Sequence, residues 1–272
     1  MQKINSCLSL FFILFLLQSG CSVFHSNQTV DTTNISQLEN VSQANLTPPS
    51  SSDMSQMRNK LLVDTAMSLG AQAGLAWASE KMNAQLDKDH LYLDSIFNFN
   101  AMMLSHGVLP PVLSEASNSL NLSDPNTIRV ADKTYRIIEQ ARFATTAPNW
   151  RDYLWLSYSK PELPDKTLLP RNADEQRVWK RAMRLGWEKG IEQAYSIFKQ
   201  NLARLKRNYQ GMILYRKLLQ QRIINAPFVS RTELGVTGNG TNLRVNDQVL
   251  RIVELPHLQT QTRNWNAIVV KQ

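Results

Sequence analysis

The chain has 272 residues, with 30 Lys and Arg against 22 Asp and Glu, and a formal net charge of +8. Its two cysteines, Cys7 and Cys21, both fall in the first 21 residues, which excludes a disulfide framework or a Cys–His zinc site in the remainder. After the N-terminal apolar run, no stretch is long enough to cross a membrane as a helix.

Lys3 precedes an apolar run from Leu8 to Leu17, which has the length of a signal-peptide core and is too short for a stable span. Ser19 and Gly20 then lead directly to Cys21, and a small pair before a cysteine resembles the lipobox of bacterial lipoproteins. Gln18 stands at the third position before that cysteine, where Leu is usual. Residues 1–20 are therefore expected to be a signal peptide cleaved between Gly20 and Cys21, with Cys21 fatty-acylated, for instance by palmitate. The alternative is an ordinary cleaved signal with an incidental thiol. The lack of any later cysteine weighs against it, because exported domains usually use cysteines in pairs. Ser22, rather than an Asp that would retain the protein at the inner membrane, points to the outer membrane.

Residues 22–57 are rich in Ser, Asn, Gln and Thr, and their only charges are Asp31, Glu39 and Asp53. Such a composition buries little apolar surface, so residues 21–57 are expected to be a lipidated cysteine followed by a disordered tether. Residues 58–272 hold 29 basic and 19 acidic residues, a net of +10, and have the length of one periplasmic domain with a full core. The positive excess suits an acidic partner surface or phospholipid headgroups, and nucleic acid is not expected in the periplasm.

The domain opens with a helix over 58–86, with Leu62, Ala66, Leu69, Ala73 and Ala76 on one face. Gly70 and Gly74 lie one turn apart and would let another backbone approach closely. If instead they merely weaken the helix, each costs about 1 kcal/mol, and Gly74→Ala is then expected to be mild. A second helix is predicted over 90–105, ended by Pro110 and Pro111.

The segments 128–137 and 243–252 match at Arg129/Arg244, Val130/Val245, Asp132/Asp247, Arg136/Arg251 and Ile137/Ile252. Apolar and polar residues alternate on both sides of Ala131-Asp132 and Asn246-Asp247, which predicts two β-hairpins turning at those pairs and able to join in one small sheet. Between them, Pro148 opens a helix carrying Trp150, Leu154, Trp155 and Tyr158, and a proline-rich stretch to Pro170 runs extended. Asn172 and Glu175 have capping-box spacing at the start of a long helix that fades near Ile224, with a bend expected at Gly211. The fold class is α+β, a predominantly helical domain with a small antiparallel sheet from two hairpins.

Catalytic signals are few. His25, His90, His106 and His257 have no metal spacing, and neither a nucleophile elbow nor a phosphate-cradling glycine loop is present. Glu188 and Glu192 could serve as an acid–base pair on glycan, but they share an ordinary helix with Lys189, where solvated charges are far commoner. The run Lys199, Arg204, Lys206 and Arg207 reads either as a solvated face or as a dock for an acidic partner. No enzyme activity, cofactor or metal is expected. The alternative is a periplasmic lipoprotein that binds or cleaves peptidoglycan.

Gly70–Trp77, Leu109–Leu113, Trp150–Trp155, Gly211–Leu219 and Leu234–Gly238 together resemble the DotC family of lipoproteins in type IVB (Dot/Icm-like) secretion and conjugation systems. The resemblance runs from about Lys60 to about Trp265 and maps the family's acylated cysteine onto Cys21. It implies an outer-membrane core-complex subunit, present in several copies in a ring, that acts with a DotD-like lipoprotein to localise a DotH-like protein. It brings no catalytic residues.

Overall fold

Two long helices are joined along bare backbone. In the computed structural model, which describes residues 30–43 and 56–266, α2 spans Gln56–Lys88 and α5 spans Ala173–Gln220. They run side by side in the same direction, Arg58 meeting Glu175 near their starts and Met67–Ala71 meeting Gly186–Gly190 further on. Four glycines make the crossing. A Cβ at Gly70 would lie 2.4 Å from the Met183 carbonyl oxygen, and one at Gly74 2.3 Å from that of Trp187. From the other side, a Cβ at Gly186 would lie 2.3 Å from the Met67 oxygen, and one at Gly190 2.1 Å from that of Ala71. Each helix thus supplies a Gly-x-x-x-Gly strip to the other's backbone, a separation no larger residue permits. Buried alanines (Ala66, Ala73, Ala76, Ala182, Ala194) extend the seam, and Trp77 packs on Trp187 with ring centroids 5.7 Å apart.

The N-terminal ends of both helices are fixed by polar contacts. The Asn172 side chain accepts from the Glu175 amide at 2.9 Å, as the capping-box spacing predicts, and opens α5. The Glu175 carboxylate takes the Arg171 amide (2.9 Å) and both the Nε and Nη2 of Arg58, each at 3.1 Å. Arg58 also donates to the carbonyls of Thr167 and Leu169. Burial pushes the Glu175 carboxyl up, but its hydrogen bonds from Arg58 and Arg171 outweigh this and hold it below the ordinary 4.5.

A short helix, α1 (Ile35–Glu39), packs against α5. Leu38 is fully buried, the Trp179 indole donates to its carbonyl at 3.0 Å, Gln176 donates to the Glu39 carbonyl, and Arg184 grips the Glu39 carboxylate. The tether expected over 21–57 therefore does not hold for residues 31–43, which belong to the same compact unit as the rest of the domain. Its polar composition hid a single anchor, Leu38, whose partners lie some 140 residues away on α5.

The predicted helix over 90–105 is shorter: α3 covers His90–Ile96, and two 3₁₀ turns follow at 100–102 and 105–107. The two-stranded pair β1 (Val108–Leu109) and β4 (Arg142–Phe143) flanks a hairpin of β2 (Val112–Asp124) and β3 (Thr127–Glu139). The helix expected after Pro148 is the single turn α4, Arg151–Leu154. Around it Phe99, Leu109, Val112, Trp150, Leu205 and Met212 form one core cluster, and the Trp150 indole donates to Asp94 at 2.6 Å. The long helix continues to Gln220 without a break at Gly211. That glycine instead admits β2, since a Cβ there would lie 2.6 Å from the Leu113 oxygen. A second cluster of Leu113, Tyr215, Leu218 and Ile224 seats the hairpin root, where burial pushes the Tyr215 phenol up to about 12. A second hairpin, β5 (Phe228–Gly238) and β6 (Leu243–Glu254), follows α5.

The fold is α+β as expected, with a correction to its sheets. The hairpins do not join: β1–β4, β2–β3 and β5–β6 are separate two-stranded sheets. Nor do they turn at Ala131-Asp132 and Asn246-Asp247. Each matched segment is one continuous strand, β3 or β6, and the turns lie at Asp124–Thr127 and Asn239–Asn242.

Three measurements test this architecture. Gly74→Ala, expected to be mild on helix propensity alone, should destabilise by about 1–3 kcal/mol because its Cβ meets backbone that cannot swing aside. Thermal melting followed by circular dichroism should fall by roughly 3–10 °C; an unchanged midpoint would place the crossing elsewhere. Deleting residues 31–43 should lower the melting temperature by several degrees, whereas a true tether would leave it alone. The Glu175 contribution is present above about pH 4.5 and is lost as pH falls through its depressed folded value. Glu175→Gln should therefore flatten the acid limb of the melting curve below pH 4.5, and an unaltered limb would contradict the buried pair.

Candidate interaction surfaces on the two ribbons

Ribbon β2–β3 is packed at its root and bare at its tip. Leu113 opposite Ile137 belongs to the core cluster under α5. Further out, Leu120 faces Val130 and Leu122 faces Ile128. Cross-strand partners two residues apart share one face, so the four form an aliphatic patch, and they are 60–72 % exposed. The opposite face carries Asn121 against Arg129.

Ribbon β5–β6 is bare along more of its length, with Phe228, Val249 and Val253 each at least half exposed. Val236, Leu243 and Val245 are 65–70 % exposed near its turn, and Arg244 lies opposite Thr237. Gly235 (φ +73°) and Asn246 (φ +57°) take left-handed backbone at a register shift, and Asn118 (φ +50°) takes it in the first ribbon without one. Asn and Gly are the residues that tolerate this conformation, and the irregularities re-aim the outer strand. The matched pairs Arg129/Arg244 and Val130/Val245 occupy corresponding places in the two tips.

Such ribbons are unusual in isolation. A two-stranded sheet is marginal in water, and an open edge with exposed aliphatic side chains invites another chain. The chemistry is not one of net charge: residues 112–139 hold three basic and four acidic residues, and residues 228–254 hold three of each. The domain's positive excess lies on its helices and loops.

The other sequence-predicted residues are dispersed. Gly20, Cys21 and His25 lie outside the described residues. His90 contacts the Asp87 carbonyl at 2.6 Å, His106 occupies a left-handed turn, and His257 sits 3.6 Å from Glu254. Among the described residues no group of three His, Cys, Asp or Glu is placed to hold a metal ion. Glu188 and Glu192 are exposed on α5. The basic run is partly consumed inside the domain, Arg204 stacking on Tyr153 at 5.3 Å and Arg207 pairing with Glu139 at 3.7 Å, while Lys199 and Lys206 remain exposed. The tip patches escaped sequence reading because the alternation marking them was assigned to strands on either side of a false turn.

A protein-family profile described as type IV secretory system, conjugal DNA–protein transfer (TraI type) matches residues 56–267. The chain belongs to this family. The TraI-type match takes in α2 through β6 and hence both ribbons, and it begins after α1. Comparison with curated proteins gives no match. Among the described residues of this TraI-family chain, no helix is long and apolar enough to cross a membrane.

Proposed function

We propose that this type IV secretion protein is an outer-membrane lipoprotein, acylated at Cys21, that works by stoichiometric assembly in the core complex of a type IVB secretion or conjugation system. Family membership and the DotC-like motifs support that placement. The observation that carries the mode of action is the pair of ribbons with uncovered aliphatic tips on a rigid helical base.

In this reading the tips bind a DotH-like subunit and, with a DotD-like lipoprotein, hold it at the outer membrane, several copies lining a ring. The occupant is a protein surface with apolar pockets and free backbone donors and acceptors. A strand or hairpin of the partner pairs with an open ribbon edge, and the Leu, Ile and Val side chains fill its pockets. Aliphatic contacts of this kind hold a complex, while surrounding charges govern encounter. Nucleic acid and catalysis have no part in it.

The test uses Leu120→Asp with Val130→Asp, and separately Leu243→Asp with Val245→Asp. All four side chains are exposed, so the melting temperature should stay within about 2 °C of the parent. Co-purification of the DotH-like subunit from envelope extracts should fall at least roughly tenfold, as for truncation of interface anchors. Full recovery of the partner with both ribbons altered would overturn the docking role. Independently, Cys21→Ser should abolish lipid labelling and release the chain from outer-membrane fractions; unchanged labelling would remove the anchor from the account.

A further inference from the structure

Near its start, α5 presents Arg177, Lys180, Arg181 and Arg184, whose spacing of three and four residues sets them on one helical face. They line a shallow open cleft of about 520 Å³ together with Leu185, an aliphatic residue that is 48 % exposed among cations. Arg177 pairs with Asp174 and Arg184 with Glu39. Lys180 and Arg181 make no ion pair among the described residues.

The position of α1 gives this face its meaning. Arg184 and Trp179 clamp α1 on the same turns of α5. The chain is already engaged at Asp31, whose carboxylate lies 3.8 Å from Lys160. Nine residues lie between Cys21 and Asp31, so ten Cα steps keep the acylated residue within roughly 36 Å of that point. A tether reaching to residue 57 would let the domain float; a clamp at 31–43 holds this end of α5 close to the lipid. The root of ribbon β2–β3 sits further along the helix at Gly211, about 30 residues or roughly 45 Å from Arg181.

We infer that the Arg177–Arg184 face docks on the anionic headgroups of the membrane that holds the anchor. This rests on the lipoprotein reading above. Guanidinium groups bind phosphate oxygens in bidentate fashion, Lys180 adds a mobile point charge, and Leu185 reaches the boundary below the headgroups, as in helices that lie along a membrane surface. With the anchor, this second attachment fixes the tilt of α5 and points the ribbons away from the bilayer.

The Cys21→Ser chain, which lacks the anchor, should be floated with vesicles of phosphatidylcholine alone and with added phosphatidylglycerol. Binding should prefer the anionic vesicles, weaken with salt, and drop at least roughly tenfold in Lys180→Glu with Arg181→Glu, where two cations at the surface are reversed. Lys199→Glu with Lys206→Glu, on a later part of the helix, should retain it. Equal binding to both vesicles, or undiminished binding by the Lys180/Arg181 variant at an unchanged melting temperature, would overturn the inference. So would capture of a single-stranded oligonucleotide with no vesicle preference, which would mark a nucleic-acid surface. Because acylation plays no part in this assay, its failure is separable from loss of lipid labelling at Cys21.

Discussion

The structure depends on one contact, the backbone-to-backbone approach of α2 and α5 through Gly70, Gly74, Gly186 and Gly190. Glycine inside a helix costs about 1 kcal/mol against alanine, and four of them are tolerable only because the helices then meet at a distance where dispersion along the whole seam is strong. The reciprocal arrangement matters. Either strip alone would still leave the Cβ atoms of the other helix in the way. Arg58 and Glu175 fix the register at one end of the pair, and Leu86, Leu205 and the Trp150 cluster fix it further along. A helix of 48 residues, roughly 72 Å long, is thereby braced over much of its length instead of bending freely.

That brace explains the division of labour along α5. Its first turns carry α1 and the basic face; its last turns carry Gly211, Tyr215 and Leu218, on which the first ribbon is seated. The ribbons have little support of their own, being two-stranded and bare at their tips, so their aim is set by their roots. The proposed assembly role would use both parts: a rigid body to set distance and adaptable edges to bind. Neutral ribbons on a basic body also keep the two kinds of surface chemically distinct.

Much of this was legible in the sequence, for local reasons. Asn172 and Glu175 announced the start of α5 because capping is decided within four residues. The Gly70–Gly74 spacing announced a close approach, but not its partner, since Gly186 and Gly190 only gain meaning once the helices are set side by side. The hairpins were foreseen while their turns were misplaced. Asn-Asp pairs suit turns and mid-strand irregularities alike, and Asn246 serves the second use. The helix α1 was missed because one buried leucine in a polar segment has no periodicity; its burial is created by Trp179, remote in sequence. At Gly211 the sequence alone suggests a bend, although a glycine in a helix marks a crossing strand equally well.

In the proposed assembly the ribbon tips are buried against another subunit when the protein is at work. Site-specific photocrosslinking in the assembled envelope tests it most directly, with a photoreactive residue placed at Leu120 or at Val245 and another at exposed Lys199 as reference. Efficient crosslinks from both tips to a single secretion subunit, the proposed DotH-like partner, are expected, with few from the reference position. Tips that stay uncrosslinked in a secretion-competent complex would contradict it.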